Sequence, residues 1–322
     1  MHRNSVKDVK TRWKVASNVQ SFKSKAKLIK RSFVTRKVQY FIMENTALAA
    51  IASQVRRDIV RMVSAVNSGH PGGSLGCTDF LTYLYFEQMH HNAADFQMDG
   101  NNEDLFFLSN GHISPVWYSV LARAGYFPVA ELGTFRKLGT RLQGHPSTDK
   151  KLPGVRMASG SLGQGLSVGV GAAQIKKLKQ DPSIVYTLHG DGELQEGQIW
   201  EAAMYAAANK VDNIIATIDA NGRQIDGDVD EVLSLGDLQQ KWAAFGWEVL
   251  HMDGHDFDSI RSTMQKAKAL CGHGKPIVII MKTEMGQGVD YMMGSHKWHG
   301  VAPNAEQLEV ALNQLEQTLG DY

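Results

Sequence analysis

Two stretches of this 322-residue sequence carry residue types suited to holding a phosphate-bound cation. Gly190-Asp191-Gly192 and Asn221 offer a carboxylate, an amide oxygen and neighbouring backbone carbonyls. Such hard oxygen donors suit Mg²⁺ or Ca²⁺, which recruits phosphate oxygens and water for its remaining positions. The glycines flanking Asp191 let a diphosphate approach the backbone closely. A lone Gly-Asp-Gly is an ordinary turn. Asn221 raises it above that, because positions 193–220 between them read as a helix and then a strand.

Histidines are the second candidate set. Of the twelve present, His2, His90, His91, His251, His255 and His273 read as surface or packing residues. His70, His112 and His145 each sit beside Gly or Pro in a loop that follows a regular element. An imidazole held there can project into a cleft from a fixed backbone and exchange protons near neutral pH.

The elements that must position these groups are legible from periodicity. Leu48, Ile51, Val55, Ile59, Met62 and Val66 recur at steps of three or four, predicting an amphipathic helix. It ends at Asn67–Gly73, a run in which no helix is expected. A second helix is predicted near Thr78–Met89, a short buried strand over Asp104–Ser109, and a further helix over 115–124. A Gly-punctuated stretch, 133–165, follows. Strands are predicted at Ile184–Leu188, Asn213–Ile218, Trp247–Leu250 and Ile277–Met281, with helices near 198–209 and 256–270. Alternating helices and near-continuously apolar strands predict one α/β domain: a three-layer parallel sheet with helices on both faces. In such sheets ligands bind beyond the carboxyl ends of the strands. A right-handed crossover brings Gly190-Asp191-Gly192 and Asn221 to the same edge.

Composition narrows the class further. The chain is 43% hydrophobic and 21% charged, unlike a disordered chain. No run approaches the roughly 18 apolar residues of a membrane span. Two cysteines, Cys77 and Cys271, are too few for a disulfide framework, so a reducing, cytoplasmic setting is expected. The overall charge of +1 argues against a nucleic-acid partner but is unevenly divided. Residues 1–42 hold twelve Lys/Arg and one acid, net +11, which leaves residues 43–322 at net −10. This leader is expected to be a disordered tail or no part of the native protein, rather than a transit peptide or nucleic-acid arm. Residues 43–322 are then the functional domain.

Taken in order, Ser68-Gly69-His70-Pro71-Gly72, Ser109-Asn110-Gly111-His112, Gly144-His145-Pro146, Gly160–Gly165, Gly190–Gly197 and His299-Gly300 carry a resemblance. Together with Asn221, the sequence resembles the N-terminal, diphosphate-binding half of transketolase over about 45–305. The resemblance implies a thiamine-diphosphate-binding fold, with thiamine diphosphate and Mg²⁺ (or Ca²⁺ or Mn²⁺) as cofactors. It implies a metal held by the side chains of Asp191 and Asn221 and the backbone carbonyl of Arg223. Cofactor contacts carried over are His112, Gly160, Leu162, Asp191, the N–H of Gly192, Asn221, Ile225 and His299. Glu196 matches a carboxylate that in the family is buried at the interface between subunits, near the cofactor. His70, His112, His145 and His299 match the active-site histidines; His299 is preferred to its neighbour His296 because it carries the His-Gly pair, and His189 matches no role.

The implied reaction moves a two-carbon ketol unit from a ketose phosphate to an aldose phosphate. After Gly300 only a polar, helix-like tail around Glu306–Gln317 remains, too short for the second, pyrimidine-binding domain that supplies an activating glutamate. The chain is therefore expected to be inactive alone and to need a C-terminal partner subunit, in a heterotetramer with two copies of each. Competing readings are a split enzyme acting on another sugar or an aldehyde such as sulfoacetaldehyde, the α chain of a 2-oxo acid dehydrogenase, and a non-catalytic binding module. The oxo acid reading is weak because that α chain lacks the Ser-Gly-His-Pro-Gly and Leu-Gln-Glu-Gly contexts present here.

Overall fold

Near-continuous apolar runs suit strands buried on both faces, and four such runs form one sheet with the part-exposed edge strand Glu248–Asp253. The computed structural model describes residues 42–322; the leader, 1–42, lies outside them but for its last residue. In chain order the strands are β1 (Leu105–Leu108), β2 (Val185–Gly190), β3 (Ile214–Ala220), the two-residue β4 (Arg223–Gln224) and β5 (Gly227–Asp228), β6 (Glu248–Asp253) and β7 (Ile277–Lys282). The sheet runs β1-β2-β3-β7-β6. All its pairs are parallel, and Gly190 lies opposite Asp219 in the β2–β3 register. Strands β4 and β5 pair antiparallel in a separate hairpin after β3.

The strands' period-two alternation divides the apolar interior. Phe106, Leu108, Tyr186, Leu188, Ile215, Ile277 and Ile279 face one core. That side is covered by α1 (Asn45–Ala65), α2 (Pro71–Gly76), α3 (Thr78–Tyr83), α4 (Ser114–Arg123), α9 (Phe257–Leu270) and α10 (Ala305–Gln314). Leu105, Phe107, Val185, Ile214, Ala216, Ile218 and Val278 face the other. There α5 (Gln164–Leu178), α6 (Gly197–Ala208) and α8 (Leu238–Ala244) pack, the last through the buried Trp242. A short α7 (Val229–Leu233) follows the hairpin. The expected three-layer parallel architecture is the one observed. Among the described residues, no helix is long and apolar enough to cross a membrane.

Three local expectations need correction. The Asn67–Gly73 run does not exclude helix: Pro71 opens α2 at its first position, where a fixed φ and a missing N–H do no harm. The second predicted helix is α3 followed by a π turn over Leu84–Gln88. The helix α5 at the end of the glycine-rich stretch is not signalled by periodicity. Its Gly169 and Gly171 weaken the apolar period, yet Gly169 sits where a Cβ would strike Thr187 of β2 at 2.5 Å, so the close approach to the sheet requires it.

Candidate active site

Four loops converge beyond the carboxyl ends of the strands, each delivering one imidazole. His70 precedes α2, and His112 lies on a 3₁₀ turn (Gly111–Ile113) after β1. His145 sits in the long 133–163 stretch, and His299 ends a 3₁₀ turn over His296–Trp298. Ring centroids of His70 lie 5.1 Å from His112, 5.6 Å from His299 and 6.2 Å from His145, and those of His112 and His299 are 4.9 Å apart. The four predicted histidines are therefore one cluster.

Their environment favours neutral rings. Burial, then the neighbouring His299, Arg136 and His145, pushes His70 down to about 4. Burial and the other three imidazoles push His112 well below the ordinary range. His145 is lowered by burial and Arg136, and His299 by burial, partly opposed by Asp226. Nδ1 of His70 and of His299 are buried without a hydrogen-bond partner, as is Oδ1 of Asn110, two residues before His112. Buried polar atoms normally find partners, so these atoms mark a place for a polar ligand.

At the carboxyl edge of the sheet, β2 and β3 end side by side. Asp191 donates its N–H to the Asp219 carbonyl at 3.2 Å. Its Oδ1 accepts the Gly192 N–H at 2.7 Å and its Oδ2 the Gly222 N–H at 2.5 Å. Asn221 donates from Nδ2 to Asp219 Oδ2 at 2.9 Å, and its Oδ1 accepts the Arg223 N–H at 2.9 Å. The Arg223 guanidinium turns away to Asp228 at 2.7 Å, which leaves the backbone of Arg223 beside Asn221. Asp191 and Asp219 are both buried, and burial plus the Asp219 charge pushes Asp191 up to about 7. A buried excess of negative charge flanked by amide and carbonyl oxygens fits a hard divalent cation. Among the described residues no group of three His, Cys, Asp or Glu side chains could hold a metal by itself. A cation here would complete its shell from amide, carbonyl and phosphate oxygens.

Four predicted residues remain. Gly160, at φ +143°, lies where a Cβ would come within 3.1 Å of the His145 ring, so a side chain there would crowd the cluster. Leu162 is half-buried two residues on, and Glu196 is exposed on this chain, against Gly163. Ile225, 61% exposed at the tip of the β4–β5 hairpin, approaches Gly300.

Three contributors carry no motif signal that singles them out. Glu193 is buried and accepts the N–H groups of Gly163 at 2.8 Å and Gly190 at 3.0 Å, together with the hydroxyl of Ser109. It thereby ties the 160–163 loop to the ends of β1 and β2. Asp219 orients Asn221 and accepts from Thr283. Arg136 lies between the loops of His70 and His145. Glu193 directly follows the Gly-Asp-Gly motif and Asp219 stands two residues before Asn221, so position alone could have flagged both.

Residues 48–320 match the family described as transketolase, thiamine diphosphate binding domain. This chain belongs to the transketolase family. The 6-deoxy-6-sulfo-D-fructose transketolase subunit SqwG of Clostridium sp. (strain MSTE9) is 38% identical to it over 271 residues, covering 83% of this chain and 95% of that protein. An apulose-4-phosphate transketolase subunit from Phocaeicola vulgatus is 37% identical over 277 residues, covering 86% and 96%. The crystal structure of transketolase from Campylobacter jejuni superposes with a TM-score of 0.79 at 36% identity, covering 85% of this chain and 43% of that one. In this transketolase-family domain, four of the motifs read from sequence bring their histidines into one cluster.

Proposed function

We propose that this chain is the thiamine-diphosphate-binding subunit of a two-subunit transketolase that moves a two-carbon ketol unit from a ketose phosphate to an aldose phosphate. The convergence of His70, His112, His145 and His299, together with Asp191 and Asn221 at the adjoining ends of β2 and β3, carries this reading. Asp191 and Asn221 side chains and the Arg223 carbonyl would hold Mg²⁺ against the cofactor diphosphate, with Gly192 and His112 beside it. Gly160, Leu162 and Ile225 would border the cofactor's rings. When bound, thiamine diphosphate supplies the carbanion sink that the reaction needs. The chain's own work is to orient the sugar and move hydroxyl protons. A neutral imidazole can accept such a proton, and an acid–base residue of this kind contributes about 10²–10⁴-fold.

The exposed Glu196 and Ile225 are the surfaces we assign to a partner subunit carrying the pyrimidine-binding half. We propose that the assembly is a heterotetramer of two copies of each chain. The names of similar relatives that are also subunits point to anionic ketoses other than the common pentose phosphates, so a second reading changes the sugar and leaves the chemistry intact.

The test is calorimetric titration with thiamine diphosphate and Mg²⁺, followed by ketol-transfer assays with and without the partner on a panel of donors. It should include xylulose 5-phosphate, apulose 4-phosphate and 6-deoxy-6-sulfofructose. Transfer is expected only with the partner present. Absence of cofactor binding in the assembled pair sinks the enzyme reading, and full activity of the lone chain sinks the two-subunit one.

A further inference from the structure

Arg136 has an unusual position for an arginine. Its backbone is left-handed, at φ +55°, and its N–H donates to the Leu142 carbonyl at 2.8 Å. The guanidinium donates from Nη1 to Ser68 Oγ at 3.0 Å, two residues before His70. On its other side it lies against Gly144, where a Cβ would come within 2.6 Å of Cζ, and Gly144 immediately precedes His145. Its Nε is buried without a hydrogen-bond partner. Among the described residues no carboxylate forms an ion pair with it, whereas Arg141, five residues later, pairs with Glu131. A half-buried cation without a counter-ion is costly, so its retention between two histidine loops calls for a reason.

We propose that Arg136 is a positioning residue of the cluster: it ties the His70 loop to the His145 loop and sets a fixed positive charge beside both imidazoles, which keeps them as proton acceptors. This rests on the reading of the four histidines as the proton-handling groups. The groups facing them are consistent with it. His70 faces His112, His145, His299 and Arg136; His145 faces Arg136 and His70; His299 faces His70, His112, His296 and, from the β4–β5 hairpin, Asp226. The acid acts at the far member, His299, and the arginine at the near pair. Lysine would keep the charge but lose the planar fork that reaches Ser68 while lying flat on Gly144.

The experiment is an NMR titration of the histidine side chains in the full chain, assigned with His70→Asn and His145→Asn. It needs no cofactor, partner or turnover, so its failure is separable from failure of the transketolase reading. Arg136→Gln should raise the proton affinity of His70 and His145 by roughly three- to tenfold, about half to one pH unit, and leave the remote His91 unchanged. Arg136→Lys should stay near wild type. Gly144→Ala, which pushes the guanidinium off its seat, should move His145 in the same direction as Arg136→Gln. Should Arg136→Gln not fold, Gly144→Ala and Arg136→Lys decide the matter. Unaltered titration in Gly144→Ala, or in a folded Arg136→Gln, overturns the proposal. Equal changes with Lys and Gln also overturn it, because they would reduce Arg136 to a brace.

Discussion

The rings of His112 and His299 stand 4.9 Å apart at an interplanar angle of 31°, although one follows the first strand and the other follows the last. Two imidazoles this close cannot both carry a proton cheaply, so they act as a unit. Replacing His70 or His299 by Ala should lower kcat by about 10²–10⁴-fold while changing thiamine-diphosphate affinity only a few-fold. The double variant His112→Ala/His299→Ala should lose less than the product of the single losses. Steady-state kinetics with the partner, beside calorimetry, reads both quantities. Unchanged turnover in both single variants would remove His70 and His299 from the catalytic set.

Asp191 is where stability and function should part. Its carboxylate is buried beside Asp219, and burial and that neighbour push it up to about 7. Asp191→Asn should abolish Mg²⁺-dependent cofactor binding. The stability of the cofactor-free variant at pH 8 should nevertheless change by about 1 kcal/mol at most, because removal of a desolvated charge offsets the acceptor lost to the Gly192 or Gly222 N–H. A clearly lower melting temperature together with retained cofactor affinity would refute the assignment.

Glu193 should be the most sensitive carboxylate that touches no substrate. Glu193→Ala strands the N–H groups of Gly163 and Gly190 and the Ser109 hydroxyl. With about 1–3 kcal/mol for each unsatisfied buried group, a loss of at least about 3 kcal/mol is expected. Glu193→Gln, which keeps an acceptor, should lose about half of that. Urea unfolding measures the difference, and amide exchange at Gly163 should accelerate in the Ala variant ahead of the sheet.

The depressed histidines also set the acid limit of the fold. His70 is held near 4 in the native chain against an ordinary value of 6.5, so the unfolded chain binds its proton first. The histidines' contribution to stability is therefore complete above about pH 6.5 and is lost as pH falls from 6.5 toward 4, with His112, His145 and His299 adding in the same direction and the raised Asp191 opposing them. Thermal melts across that window should show a slope that flattens in His70→Asn. A slope of unchanged steepness in that variant would place the acid sensitivity elsewhere.

Much of the fold and the site is legible in the sequence, for identifiable reasons. Strands such as Ile277–Met281 announce themselves because parallel strands are apolar on both faces. The histidine loops are announced by the Gly and Pro that break helices around them. The helix α5 is hidden because its Gly169 serves contact with the sheet rather than helix propensity, and Pro71 misleads because it begins a helix rather than ending one. Arg136 is invisible for a different reason. Its role depends on Ser68 and Gly144, which share no local pattern with it and meet it only in three dimensions.

The four imidazoles come from four separate chain crossings, and the last of them rides on the segment after β7, whose Gly286 N–H is fastened to the Gly72 carbonyl at 2.9 Å. Contacts of such long sequence separation form late, because loop closure must precede them. Assembly of the cluster is thus expected among the later events of folding. A nascent or partly unfolded chain could already possess most of its sheet while holding no assembled centre, so catalytic competence would report on the completion of folding.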